Sequence, residues 1–244
     1  MLKSYPLIWS LVLFALLPFN ANAQMFSVDD ENEKQGNPFA PYIRVGIQPV
    51  DFEFTGDPAA FSVQNQTDLS FKGTVAQAGF ESGGFNLDVL VGNNLTDIDN
   101  RKFFGLEIKF TNPFYLIRQE RFGLGVPLQV GTKLTSVRSD DVQSEFSQTN
   151  LYAAAGITSL LYFPEKFSIT GSFMPAYGFS TASGGFVGGN VFSLKGKARI
   201  NFFNVIFGRN ISLGYDYIYD SYNVDGEEFD YDLNGHSITL GVSL

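Results

Sequence analysis

Gly235-His236-Ser237-Ile238-Thr239-Leu240-Gly241-Val242-Ser243-Leu244 closes the chain and decides how the rest is read. From Ile238 every even position is apolar (Ile238, Leu240, Val242, Leu244), and every odd position from Ser237 is small or polar. A period of two belongs to a β-strand, whose successive side chains leave opposite faces. The run that begins at Asn210 repeats the pattern. Ile211, Leu213, Tyr215, Tyr217 and Tyr219 share one parity against Ser212, Gly214 and Asp216.

A strand that alternates in this way and finishes on the last residue resembles the closing strand and C-terminal assembly signal of bacterial outer-membrane β-barrels. That signal usually ends on an aromatic residue, where this chain has Leu244. The resemblance covers residues 42–244 and rests on pattern, not on a specific motif. It implies an all-β fold: a single closed antiparallel transmembrane up-and-down β-barrel, inserted by the barrel-assembly machinery and surrounded by outer-membrane lipid and lipopolysaccharide. Ile238, Leu240, Val242 and Leu244 would then face lipid on the closing strand, and Tyr215, Tyr217 and Tyr219 would form part of an aromatic girdle.

The start of the chain agrees with export. Lys3 supplies a positive n-region, Leu7 to Leu17 an apolar run broken only by Ser10, and Ala21-Asn22-Ala23 a small-x-small cleavage site. Residues 1–23 therefore read as a cleavable signal peptide. Residues 24–41 are acidic, contain Gly and two prolines, and read as a flexible periplasmic arm. Residues 42–244 are the barrel. No other run approaches the roughly 18 uninterrupted apolar residues of a membrane helix. Even so, 44% of the chain is hydrophobic and 16% aromatic. Barrels reconcile the two facts, because only half of each strand faces lipid.

With no cysteine, disulfides, thiolate metal sites and thiol catalysis are excluded together. Without Lys3 the mature chain keeps 15 basic and 25 acidic residues, a net charge of −10, which argues against nucleic acid as a partner. The acids gather in candidate loops: Asp29-Asp30-Glu31, Asp97-Ile98-Asp99, Asp140-Asp141 and Asp225-Gly226-Glu227-Glu228. These read as solvated loops, with divalent-cation contact beside lipopolysaccharide as the functional alternative.

Ten strand-like segments follow residue 41, with eight and twelve left open. The first, Tyr42 to Phe54, has Ile43, Val45 and Ile47 on one parity and Val50, Phe52 and Phe54 on the other, which predicts a bulge at Pro49. The second has Leu69, Phe71, Gly73 and Val75 on one face and ends in the turn Glu81-Ser82-Gly83-Gly84. Asn112 to Arg121 reads as either an interfacial turn or a strand extension. Ala153, Ala154 and Ala155 blur the faces of the sixth segment, and Pro175 is expected to interrupt the seventh. An even count puts both termini on one side, and the connections alternate between longer polar and shorter ones. The rival is a soluble barrel of lipocalin type, with the apolar parity inside.

The eighth segment carries the chemistry. Phe192, Leu194, Ala198, Ile200 and Phe202 share one face, and Lys195, Lys197 and Arg199 share the other. Facing lipid near midplane, each cation would cost about 2–4 kcal/mol, so the three belong in the lumen. Asp216 on the next strand is the nearest counter-charge, and Glu107 the candidate across the lumen. Lys109, Lys133, Lys72, Asp88 and Arg44 add charge elsewhere. The ladder would line either an anion-attracting pore for small ions or solutes or an ionic core that fills a narrow lumen.

His236 is the one histidine, which argues against a His-ligated metal. No cofactor is implied. Its parity puts it on the outer face. There it would resemble the outer-membrane lipid A deacylases only if an outward serine stood beside it, since Ser237 faces the other way. Ten strands are also similar to the outer-membrane aspartyl proteases. Asp230 and Asp232 lie near His236, but a second matching Asp pair is missing, so that resemblance stops at strand count. The expectation is a non-enzymatic barrel, structural or a narrow passive channel. A His236 hydrolase and an adhesion barrel acting through its acidic loops are the alternatives.

Overall fold

The computed structural model describes residues 37, 39–57, 59, 69–92, 101–139, 145–183, 188–224 and 230–244. The expected signal peptide, most of the arm and all four acidic loop stretches lie outside the described residues. Eleven strands follow: β1 (Tyr42–Phe54), β2 (Phe71–Glu81), β3 (Phe85–Gly92), β4 (Arg101–Arg118), β5 (Phe122–Ser139), β6 (Glu145–Ala155), β7 (Ile157–Phe163), β8 (Phe167–Ser183), β9 (Gly189–Ile206), β10 (Arg209–Val224) and β11 (Tyr231–Ser243). Each pairs antiparallel with its neighbours, and β1 closes the ring on β11, with Tyr42 opposite Ser243.

The ring has ten staves, because β6 and β7 are one. Both lie between β5 and β8, and the register does not shift from one to the other: Ala154 faces Ala176 and Ile157 faces Phe173. The gap is at Gly156, which in this register falls opposite Pro127 of β5. Proline has no N–H to give the ladder, so the strand loses its bonding there without losing its course. The segment Asn112 to Arg121 resolves as a strand extension, since β4 stays paired to β5 through Arg118. Pro175 does not interrupt β8. It stays in register with Leu194 and points outward.

The two ends of the barrel differ. At the end where β1 begins and β11 finishes, here the termini end, the connections are tight. Gly83-Gly84 joins β2 to β3, Glu120-Arg121 joins β4 to β5, and Phe207-Gly208 joins β9 to β10 with φ of 48° and 75°. Positive φ at both central residues is the type I′ geometry that matches strand twist. At the other end, here the loop end, the connections are 55–70, 93–100, 140–144, 184–188 and 225–230.

The outer surface is apolar around the ring. Ile47, Leu128, Phe173, Phe179, Leu213, Ile238 and Leu240 are all exposed, and Ile238 has 66% of its surface free. The opposite parity of the same strands holds Arg44, Gln48, Glu107, Lys133, Lys195, Arg199 and Ser237, all buried. A lipocalin-like barrel has the reverse arrangement, so that alternative is removed.

One inversion runs through this pattern. Toward the loop end the inward parity turns apolar: Val50 and Phe52 on β1, Phe71 and Val75 on β2, Phe103, Val137, Phe146, Val191, Tyr222, Tyr231 and Leu233. The change of apolar parity in β1 is therefore no bulge. The pairing of β1 with β2 runs unbroken from Tyr42 to Phe52, Pro49 included. Val50 and Phe52 are inward residues that have become hydrophobic, and they form part of a core inside the barrel. Phe52 stacks on Tyr231 with ring centroids 4.5 Å apart and meets Phe146 at 4.9 Å. Phe71 packs on Phe103 at 5.4 Å. The two phenols of this core are satisfied: Tyr222 shares a hydrogen bond of 2.9 Å with Thr135, and Tyr231 accepts the Leu69 N–H at 3.2 Å.

Phe52 is fully enclosed, so Phe52→Ala should destabilise the folded barrel by about 3–5 kcal/mol. Equilibrium urea unfolding in lipid vesicles reads the change. A loss below about 1 kcal/mol would mean that the loop end of the lumen is not packed.

Candidate functional site in the lumen

Below the aromatic core the inward parity is charged, and the charges form three groups. The group nearest the termini centres on Glu81, the last residue of β2. It meets Arg44 Nε at 2.6 Å, Lys197 Nζ at 2.7 Å and Arg199 Nε at 3.1 Å. Arg199 also grips Asp216 with Nη2, at 2.8 and 2.9 Å from its two oxygens, and donates through Nη1 to the carbonyls of Ala198 and Tyr215. Ser237 donates to Asp216 at 3.2 Å, and Arg44 Nη1 donates to Ser212 at 3.0 Å. Two glycines make room for the guanidinium groups. A Cβ at Gly241 would lie 3.0 Å from Arg44 Nη1, and one at Gly214 would lie 2.9 Å from Arg199 Nη1.

The middle group centres on Glu107. It bonds Lys109 at 2.8 Å, pairs with Lys195, and accepts the Tyr152 hydroxyl at 2.6 Å. Lys109 reaches Asp88 as well, at 2.8 Å, and the Lys195 ammonium sits 3.5 Å from the centre of the Tyr152 ring, a cation–π contact. The deepest group is the pair Lys133–Asp220, with Tyr222 donating to Asp220 from the aromatic core above. Access to water falls along the same path. The side chains of Lys197 and Asp216 are each 25% exposed, Lys195 10%, and Asp220 not at all.

The ladder Lys195, Lys197, Arg199 thus lies inside the barrel on β9, but its three members have three different principal partners. Asp216 takes Arg199, Glu107 takes Lys195, and Glu81 takes Lys197. Sequence reasoning left Glu81 in a turn. The odd parity of β2, followed past Val75 through Gln77 and Gly79, would have put it in the lumen. Lys72 goes the other way: it is exposed on the outer parity and pairs with Asp51 at 2.6 Å.

His236 lies on the outer face. Its Nδ1 is 2.7 Å from the Tyr215 hydroxyl and its ring centroid 5.1 Å from that of Tyr217. Ser237 is buried in the lumen, and the cross-strand neighbour of His236 on β10 is Tyr217. No Ser/His pair is assembled there. Tyr219 donates to Asp232 at 3.0 Å. Among the described residues no three His, Cys, Asp or Glu side chains converge as a metal site would require.

A cavity of about 210 Å³ lies among the charged groups of the first two tiers. Phe39, Tyr42, Ser82 and Gly83 line it toward the termini end, and Gln48, Lys133 and Ile218 farther in. Below it, Phe39 and Tyr115 pack against Leu160, Tyr162 and Phe203.

No protein-family model and no curated protein matches the chain. Among solved structures it is similar to the outer membrane protease OmpT of Escherichia coli, at 9% identity and TM-score 0.42, covering 85% of this chain and 97% of that one. The attachment invasion locus protein Ail of Yersinia pestis matches at 12% identity and TM-score 0.32, covering 84% and 99%. The transport unit of the autotransporter AIDA-I from Escherichia coli matches at 12% and 0.37, covering 91% and 94%. All three are bacterial outer-membrane β-barrel proteins, and at such identities no residue of theirs is carried over to this chain.

Glu81→Gln would leave Arg44, Lys197 and Arg199 with Asp216 as their remaining carboxylate. Removing one partner from a buried ion group typically costs about 3–5 kcal/mol, and the water that reaches Glu81 lowers this toward about 2–4 kcal/mol. Asp51→Asn, at the exposed pair with Lys72, should cost under about 1 kcal/mol. Urea unfolding of both variants checks the order, and equal costs would contradict the hub role of Glu81.

Proposed function

We propose that this chain is a non-enzymatic barrel of the bacterial outer membrane whose lumen is sealed, so that it acts as a lipid-embedded scaffold and not as a passive channel. The apolar exterior and the polar interior support the membrane reading, since a water-soluble barrel would have to leave that exterior wet. Tight turns beside the termini and long connections at the other end match the periplasmic and extracellular sides of such barrels. Lipid and lipopolysaccharide are the partners of this surface. Tyr215, Tyr217 and Tyr219, with His236 among them, lie about eight residues from Leu244 along the strands, where an interfacial girdle belongs.

One observation carries the sealed reading: the aromatic core that fills the loop end. Phe52, Phe71, Phe103, Phe146, Tyr222 and Tyr231 are each at most 1% exposed and touch one another across the lumen. An ion passing that level would shed its hydration shell against hydrocarbon and aromatic rings. A ten-stave barrel is only slightly wider than the eight-stave barrels whose side chains fill their interior. Against the hydrolase reading, among the described residues His236 has tyrosines, and no outward serine, beside it.

Planar-bilayer recording tests the reading. The refolded mature protein is expected to insert without conductance steps at physiological salt. Stable, ohmic, ion-selective steps would overturn it.

A further inference from the structure

We propose that the termini end of the lumen is a blind binding chamber for one small anion, of the carboxylate or phosphate class, seated on Lys197. The proposal rests on the sealed-lumen reading, because a chamber is blind only if the aromatic core closes its far end.

Charge balance is the first ground. The deepest group sets Lys133 against Asp220, and the middle one sets Lys109 and Lys195 against Asp88 and Glu107. Each is neutral. The group nearest the termini has three cations, Arg44, Lys197 and Arg199, on two carboxylates, Glu81 and Asp216. One positive charge is left over at the level where water enters, and a monoanion neutralises it.

Donor geometry is the second. Arg199 commits Nε, Nη1 and Nη2 to Glu81, two carbonyls and Asp216, so it is a fixed wall. Lys197 has three N–H donors and one bonded acceptor, Glu81, and is the most accessible cation of the group. Arg44 engages Glu81 and Ser212 through Nε and Nη1.

Buried amides are the third. Gln48, Asn86 and Asn201 are each more than nine-tenths buried, and all three line the same cavity. Gln48 Nε2, Asn86 Oδ1 and Asn201 Oδ1 have no protein partner. Buried amide atoms are nearly always hydrogen-bonded in folded proteins. Here they would meet the ligand and its hydration: Gln48 donates to an anionic oxygen, and Asn86 and Asn201 accept from an acid O–H or a bridging water. The cavity of about 210 Å³ lies below the roughly 300–1,000 Å³ of ordinary small-molecule sites, so the ligand has few non-hydrogen atoms.

The test is isothermal titration of the full mature chain, folded in detergent micelles, with inorganic phosphate and separately with acetate at fixed ionic strength. Saturable 1:1 binding of at least one is expected, and the tighter of the two names the class. Lys197→Gln should weaken it about tenfold or more, the loss of one charge-assisted hydrogen bond. Lys197→Arg should largely retain it, and Lys72→Gln, on the outer face, should leave it unchanged. Asn201→Asp, which adds a carboxylate to the chamber, should weaken it comparably and serves if Lys197→Gln fails to fold. No saturable binding of either anion, or unchanged affinity in Lys197→Gln or Asn201→Asp, would overturn the proposal. Bilayer recording on the same preparation separates the two failures. A protein that neither binds nor conducts removes the anion site alone, and one that conducts removes the sealed lumen.

Discussion

Glu81 is the residue on which the lumen depends. Three cations from β1 and β9 meet its carboxylate, and only Arg199 has a second one in Asp216. A low-dielectric interior tolerates such charges only when each is paired and its remaining donors are bonded. The barrel closes between β1 and β11, while Glu81 ends β2 and the ladder sits on β9. The ion group thus ties together strands on both sides of the seam where the first and last strands meet. Gly214 and Gly241 are part of the same arrangement, since a side chain at either would push a guanidinium out of place.

Two ways of filling the lumen are stacked along the barrel. Between the small cluster of Leu160, Tyr162 and Phe203 at the termini end and the aromatic core at the loop end, the lumen holds charge with some water. The charged part and the aromatic core meet at Tyr222, which packs on Phe146 at a centroid distance of 5.7 Å while its hydroxyl bonds Thr135 and Asp220. A dry ring cluster above the Lys133–Asp220 pair keeps solvent from that pair, and the pair gives the Tyr222 hydroxyl a polar partner. Rings of this size are among the largest contributors to a core, and the cluster at the loop end is far larger than the group of Leu160, Tyr162 and Phe203 at the other.

Much of the fold could be read from alternation. Ile238 through Leu244 gave the outer face of β11, and Phe192 through Phe202 gave that of β9, because a period of two maps directly onto inside and outside. Alternation misled where the lumen itself turns apolar. At Val50 and Phe52 the same parity that buries Arg44 and Gln48 buries hydrophobic groups. A reading that equates apolar with outward must then insert a bulge, and Pro49 offered a plausible place for one. Proline misled again at 175, where an outward-facing position in an unbroken ladder tolerates it. In the site, the inward face of the ladder was legible, but its partners were not. Which carboxylate meets which cation depends on register and on reach across the lumen, and neither leaves a trace in local sequence. Glu81 is the clearest case, two residues from a Gly-Gly turn and yet inside.

The central claim is that the lumen opens toward the termini and is closed toward the loops. Because the chain has no cysteine, a single Lys197→Cys substitution gives a unique probe. The variant is reconstituted in vesicles of known orientation and exposed to a small, membrane-impermeant thiol reagent on one side at a time. Labelling from the termini side alone is the predicted result. Labelling from the loop side at a comparable rate would contradict the account, because the reagent would have had to pass the ring cluster of Phe52, Phe146 and Tyr231.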